Sequence, residues 1–377
     1  MNNNKTPHCQ GLGMINLNLL IFPFNLDTAK DFAVKAKAMN LHVIGASSEI
    51  TNTKHILADE FIHLPFITDP SFNDIFYASL EKHHITHVYA PHGGVWIHIK
   101  SLQTDKPTRS PFHLCTPAPF EADWQEYAAS YDWATVTIKD ELAKRITTTK
   151  PIRKKLTLGQ YAGLHKQFTK TPGQCDDEKL LSLTAIAQVL PKGDIVEIGA
   201  LYGRSANALG WLAERYNIGS VICVDPWQLE EMEDQSEKAT ILNSKLIEID
   251  SKKVFNVFIA NAVLLSNVGY IRKYSVDAIE DYKNAKKEGY LKSEDLGKVT
   301  VFGEISLLHV DGSHKYEEVW KDIKTWEPHI MSGGWLLLDD YVWSFGSGPQ
   351  QVGDELLTTK NFDTAFCLGD TLFLRKK

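Results

Sequence analysis

An excess of positive charge is missing from this chain. Lys and Arg number 40 against 47 Asp and Glu, a formal net charge of −7. The phosphate-neutralising footprint of a nucleic-acid binder is therefore absent, and no nucleic-acid partner is expected. Paired cysteines are missing too: Cys9, Cys115, Cys175, Cys223 and Cys367 are scattered, odd in number and never in a CxxC pair. That excludes a disulfide framework or a zinc ribbon and makes a reducing cytoplasm the natural setting. Long apolar runs are scarce. The stretch from Met14 to Phe24 is broken by Asn16 and Asn18, falls short of the roughly 18 residues a membrane span needs, and leads to no small-residue cleavage site. It reads as a buried first strand, and no membrane partner is expected. Glycine (24) and proline (15) among 377 residues are too few for a collagen-like or low-complexity chain. What remains, 43% hydrophobic and 23% charged residues, is the profile of an ordinary globular protein of about two domains.

From Met14 to Tyr89 strand and helix signals alternate. MINLNLLIF reads as a strand, DTAKDFAVKAKAMN as an amphipathic helix with Phe32, Ala33, Ala36 and Met39 on one face, and LHVIGAS as a second strand. DPSFNDIFYASLEKHH is a long helix opened by Asp-Pro, and THVYAP a further strand. This alternation with short connections implies parallel strands and right-handed crossovers, a small doubly wound sheet. The order of elements over residues 12 to 100 resembles the first subdomain of ATP-grasp proteins, which implies a fold and no activity. Gln10-Gly11-Leu12-Gly13 precedes the first strand, whereas a dinucleotide fingerprint follows one. His83, His84, His87, His92 and His98 crowd into sixteen residues. They fall on a helix end, a strand and a loop, so they are expected to diverge rather than to bind a metal. The expected organisation is an N-terminal domain over 12–135, a helical linker region over 136–180, and a second domain over 181–377.

The second domain carries the chemistry. In DIVEIGALYGRSANALGWL an apolar strand runs into Glu197-x-Gly199-x-x-x-Gly203, and a helix starts near Ser205. Glycines at such a turn let backbone N–H groups approach a ligand, and the helix N-terminus offers a positive dipole to its anionic part. The bland alternative is a tight packing turn. Further on, the strand of SVICVDPW ends in Asp225, where an acidic residue holds a ribose diol.

Over residues 180 to 377 the chain resembles the class I S-adenosylmethionine-dependent methyltransferases. The resemblance rests on VEIGALYGRSA, VICVDPW, FNVFIANA, SVDAI, ISLLHVDGSH, GGWLLLDDY and the closing pair FDTAFCLG and TLFLRKK. It implies an α/β fold: a Rossmann-like methyltransferase sheet with an antiparallel final strand, beside the smaller N-terminal doubly wound α/β domain. It also implies S-adenosylmethionine as cofactor, with Glu197, Gly199 and Gly203 lining its methionine and ribose side and Asp225 on the ribose hydroxyls. Trp227 would stack near the adenine, with Ser275 and Asp277 at its edge.

A second constellation follows in HVDGSHKYEEVWKDI and GGWLLLDDY. Two strands deliver Asp311 and the pair Asp339-Asp340, and neighbouring parallel strand ends bring such carboxylates together. Clustered carboxylates repel unless a cation joins them, and Mg²⁺ or another divalent, oxygen-seeking ion suits the set. The alternative is one helix-capping aspartate and a solvated pair. Within the methyltransferases this pattern resembles the metal-dependent sugar O-methyltransferases of macrolide and aminocoumarin biosynthesis. That resemblance implies Asp311, Asp339 and Asp340 as metal ligands and His314 as general base, with Asp311 as its substitute. A neutral hydroxyl is a poor nucleophile, and a histidine of ordinary pKa about 6.5 is suited to take its proton near neutrality. The expected function is O-methylation of a sugar or polyol-containing small molecule, in carbohydrate or secondary-metabolite synthesis. Homo-oligomerisation is left open. Tyr202, Trp227, Tyr316, Trp335, Tyr341 and Trp343 form either a sugar-facing mouth or plain core. Two alternatives stay open: a metal-independent small-molecule methyltransferase, and a nucleotide- or partner-binding protein with a non-catalytic methyltransferase-like domain. The segment KNAKKEGYLKSEDLGKVTVFG reads as an insertion between the fourth helix and the DGSH strand, and the N-terminal domain is foreign to these methyltransferases.

Overall fold

The computed structural model describes residues 17–49, 57–105, 111–146, 152–228 and 250–377. The chain divides into two compact units, Met1–Ala128 and Ala129–Lys377. The motif Gln10–Gly13 lies outside the described residues.

The first unit holds β1 (Asn18–Ile21), β2 (His42–Ser47), β3 (Glu60–His63), β4 (His87–Tyr89) and β5 (His113–Leu114). They form one parallel sheet in the order β3-β2-β1-β4-β5. β1 and β2 are buried almost end to end, as strands covered on both faces must be. Helix Asp27–Ala38 buries Ala29, Ala33 and Ala36, the i, i+4, i+7 stripe of a helix lying on a sheet. Met39, expected on that face, is exposed beyond the helix end. Helix Phe72–Lys82 buries Phe72, Phe76, Tyr77 and Leu80. The crowded histidines go separate ways: His83 Nδ1 to Glu60 at 2.8 Å, His98 Nε2 to Asn73 at 2.8 Å, and His87 Nδ1 to the neighbouring Thr86 hydroxyl at 2.9 Å.

The second unit is organised by a seven-stranded sheet in the order β13-β14-β12-β11-β6-β7-β8. Its strands are β6 (Asp194–Ile198), β7 (Val221–Val224), β8 (Val268–Ile271), β11 (Ile305–Val310), β12 (Ile330–Leu338), β13 (Phe362–Leu368) and β14 (Thr371–Lys376). β12, β11, β6, β7 and β8 run parallel, while β14 pairs antiparallel with both β12 and β13, the closing hairpin read from the sequence. The third strand is Val268–Ile271, and FNVFIANA falls in helix Ser251–Ala262. The insertion is the end of helix Ser275–Glu288 plus an antiparallel hairpin, β9 (Tyr290–Ser293) with β10 (Gly297–Thr300).

The stretch 136–180 supplies helices Leu142–Arg145 and Leu158–Lys170 and the start of Asp177–Ala187. A capping box between Thr157 and Gln160 opens the second of these, satisfying backbone N–H groups left bare by the helix start. Its Tyr161, Leu164 and Phe168 share one core with Leu180, Leu183 and Leu209. Among the described residues no helix is long and apolar enough to cross a membrane.

Candidate active site

β7, β6, β11 and β12 are consecutive parallel neighbours. Their C-terminal ends therefore open on one edge, the place where α/β sheets hold ligands. A cavity of about 830 Å³ lies there and is lined from the glycine turn at one end to Asp311, His314 and Asp340 at the other.

The turn after β6 is built on positive φ: Gly199 at 84°, Leu201 at 47° and Gly203 at 84°. A Cβ on Gly199 would run into the carbonyl of Asp311, so glycine is required there by space as well as by backbone conformation. Gly203 caps helix Arg204–Tyr216. It stands behind the cavity lining, where an added Cβ would meet the Phe258 ring. Asp225 faces the turn and accepts the Leu201 N–H at 3.0 Å and the Trp227 N–H at 2.6 Å. Burial pushes its carboxyl above the usual range, against these backbone donors. Each oxygen keeps lone-pair capacity for a ligand hydroxyl, and the residue lines the cavity.

Arg204 donates to the carbonyls of Thr171 and Cys175, each at 2.7 Å. The segment between them, Pro172 to Gln174, lines the cavity, so one guanidinium fixes this strap to the start of the helix. Ser275 also lines the cavity, and its hydroxyl donates to Asp322 of helix Tyr316–Trp326. Asp277 lies beside it in the lining.

Two expected cofactor residues are turned elsewhere. Trp227 is only 1% exposed. Its ring packs edge-on and tilted against Phe255, Phe258 and Tyr270, and its indole N–H donates to the Leu201 carbonyl at 2.8 Å. It is core, held by these rings and by the indole hydrogen bond, on a backbone of left-handed φ. Glu197 is likewise sealed beneath the site. Its carboxylate meets His309 Nδ1 at 2.8 Å, across the β6–β11 register that pairs the two residues. Burial and the Lys179 charge would lower the His309 pKa, but the carboxylates of Asp339 and Glu197 more than offset them and raise it. Of the proposed aromatic mouth, Tyr202 and Trp343 line the cavity, while Trp335 is buried. Tyr316 and Tyr341 donate to the exposed carboxylates of Glu355 and Asp354.

The acidic end differs from the expected three-carboxylate cluster in two respects: a lysine stands in it, and Asp340 turns away from Asp339. Lys179, from the first turn of helix Asp177–Ala187, is fully buried there; its ammonium contacts Asp339 and lies 3.7 Å from Asp311. Burial raises the Asp339 carboxyl, yet Lys179 and His309 more than offset this and hold it well below the usual range. Asp311, desolvated beside Asp339, is raised. Asp340 adopts φ 52°, a left-handed conformation aspartate tolerates. The adjacent carboxylates therefore part company: Asp339 meets Lys179, and Asp340 Oδ2 lies 2.8 Å from His314 Nε2. Trp343 packs edge-on against the His314 ring at 4.4 Å. The donor atoms of Asp311, His314 and Asp340 lie within 4.8 Å of one another. Two oxygens and an imidazole nitrogen at that spacing suit a divalent cation.

Lys179 and His309 were not singled out from the sequence. Both carry a signal. Lys179 stands one helical turn before Leu183 on the buried face of its helix, and His309 interrupts a strand whose every residue is buried.

Residues 196–341 match the family model described as a methyltransferase domain. An uncharacterised protein of Acanthamoeba polyphaga mimivirus is 27% identical over 162 residues, 42% of this chain and 57% of that relative's length. Among solved structures the chain is similar to the O-methyltransferase NovP, with 16% identity and TM-score 0.39 over 66% of this chain and 99% of that one. It is also similar to CalS11, a TDP-rhamnose 3'-O-methyltransferase of calicheamicin biosynthesis, with 13% identity and TM-score 0.36 over 62% and 97% of the two chains. With the family match lying over the glycine turn, Asp225, Asp311 and the Asp339-Asp340 pair, the second unit carries a methyltransferase domain of the class I fold.

Proposed function

We propose that this protein transfers a methyl group from S-adenosylmethionine to a hydroxyl of a sugar or polyol-containing small molecule, assisted by a divalent cation. The observation that carries the reading is the single cavity joining the glycine turn and Asp225 to Asp311, His314 and Asp340. The cofactor, when bound, supplies an electrophilic methyl on a sulfonium. A divalent ion at Asp311, His314 and Asp340 would lower the pKa of an acceptor hydroxyl and orient it. The residues do the rest. The turn at Gly199 lets the backbone pass close to the cofactor, its own N–H groups being taken by Val224, Ala200 and Asp225, and Asp225 offers acceptors to paired hydroxyls. Asp340 Oδ2 lies 2.8 Å from His314 Nε2 and holds the ring at this end; with the ion bound His314 would be one of its ligands and the acidified hydroxyl would lose its proton to water, whereas without the ion His314 is the base that takes the proton. The Pro172–Gln174 strap, held by Arg204, restricts water at the donor end. Tyr202 and Trp343 offer flat faces to sugar C–H surfaces.

Titration of S-adenosylhomocysteine into the purified protein, with Mg²⁺ and with EDTA, tests the reading. Micromolar one-to-one binding in both buffers is expected, followed by turnover on sugar acceptors only with Mg²⁺. Absence of binding in either buffer would sink the proposal. A second reading, a metal-independent methyltransferase, is favoured by Lys179, which already neutralises Asp339. Turnover that survives EDTA would select it.

A further inference from the structure

Two groups of three metal-ligating side chains meet at the acidic end, and they share Asp311: Cys175 with Asp311 and Asp339, and Asp311 with His314 and Asp340. The first is lined by Lys179, whose ammonium contacts Asp339 and stands 3.7 Å from Asp311. Thr371 donates its hydroxyl to the other oxygen of Asp339, so that carboxylate is engaged on both sides. In the second group neither ring nitrogen of His314 has a hydrogen-bond partner among the described residues, although Nε2 lies 2.8 Å from Asp340 Oδ2.

We propose that Lys179 is the built-in counter-cation of this site: it occupies the place where a divalent ion would bridge Asp311 and Asp339, and confines any such ion to Asp311, His314 and Asp340. This rests on the metal-assisted form of the function proposed above. A carboxylate pair of which Asp339 is buried and Asp311 partly so needs positive charge beside it. A covalently tethered ammonium supplies that charge at every metal concentration, and it lets the first group hold its shape before any ion arrives. The consequence is competition. The site should bind divalent cations more weakly than its acidic residues allow, because one carboxylate is already taken and a fixed positive charge repels the newcomer.

The test is calorimetric titration of Mg²⁺ into the full chain, for the wild type, Lys179→Met and the double variant Lys179→Met/Asp339→Asn. Thermal unfolding is followed in parallel in EDTA and in Mg²⁺. Lys179→Met should bind Mg²⁺ at least about tenfold more tightly than the wild type. Its unfolding temperature should fall in EDTA and recover when Mg²⁺ is added. The double variant removes a positive and a negative charge together, and it should return to within a few-fold of wild-type affinity. Equal or weaker Mg²⁺ binding by Lys179→Met overturns the proposal. So does a stability loss that Mg²⁺ fails to restore, in that variant or in the more conservative Lys179→Gln. Failure of both variants to fold with Mg²⁺ present also counts against it, since a divalent ion would then be unable to stand in for the lysine. Binding of S-adenosylhomocysteine to the wild type, measured alongside, reports on the methyltransferase reading separately. Loss of that binding with tight Mg²⁺ binding by Lys179→Met would sink the activity and leave the counter-cation role standing.

Discussion

Both units are built on parallel strands connected by helices, the second with an antiparallel pair at one edge of its sheet, yet they place charge differently. In the first, ion pairs stay at the surface: Glu60 meets His42 and His83, Lys37 meets Asp59, and each pair keeps one side chain well exposed. In the second, Lys179, Glu197, His309 and Asp339 are drawn into the interior and packed against one another. Among the described residues the first unit builds its parallel sheet with no buried charged side chain. Desolvating several such groups is costly unless each finds a partner. Such clusters of perturbed groups in a cleft mark the places where chemistry is done.

The largest effect should come from breaking the hidden pair. Glu197→Leu leaves His309 buried opposite an apolar side chain and should destabilise the second unit by about 3–5 kcal/mol, read by denaturant unfolding. A loss under 1 kcal/mol would mean the interior charges are less costly to orphan than the contrast between the units implies. Next, His314→Gln should cut turnover by about 10²–10⁴-fold while leaving S-adenosylhomocysteine affinity within a few-fold. A matching loss of affinity would make His314 a structural residue. Asp225→Asn weakens the acceptor and disturbs the turn it holds. It should lower S-adenosylhomocysteine affinity about tenfold or more, with the unfolding midpoint little changed.

A smaller effect is expected with pH. The folded pKa of His309 is raised above its ordinary value of 6.5. Its contribution to stability is therefore complete below that value and is lost as pH rises through the folded pKa. Unfolding midpoints measured from about pH 6 to about pH 9 should fall in the wild type and fall less in His309→Gln. A steeper fall in the variant would reverse the sign. The smallest effect belongs to the first unit. Glu60→Gln removes half-exposed pairs and should cost no more than about 1 kcal/mol; a larger loss would erase the difference between the two units.

Much of this was legible in the chain itself, and what was legible was local. Strand and helix alternation, the glycine turn, Asp225 and the closing hairpin are each written within one or two consecutive elements. Their physical reasons are short-range: periodicity, positive φ, a strand end. The partnerships of Asp339 and Glu197 are not local. Lys179 reaches Asp339 across 160 positions, and His309 meets Glu197 across 112. Sequence order alone cannot tell a lysine that caps a solvated helix from one turned into a cavity. Trp227 was misread for a related reason: the rings and the carbonyl that hold it come from other elements, and residue type does not announce them. The departure of Asp340 from Asp339 has the same origin.

The β6–β11 register has a further consequence. The Asp311 N–H donates to the Ile198 carbonyl at 2.8 Å, so the glycine turn and the acidic end begin from two hydrogen-bonded strand ends. Their separation is one step of the sheet, about 4.8 Å, a fixed pitch that no side-chain substitution can lengthen. Whatever the glycine turn holds and whatever Asp311 holds are spaced by a ruler made of backbone. The lining can drift toward new molecules while that interval stays the same.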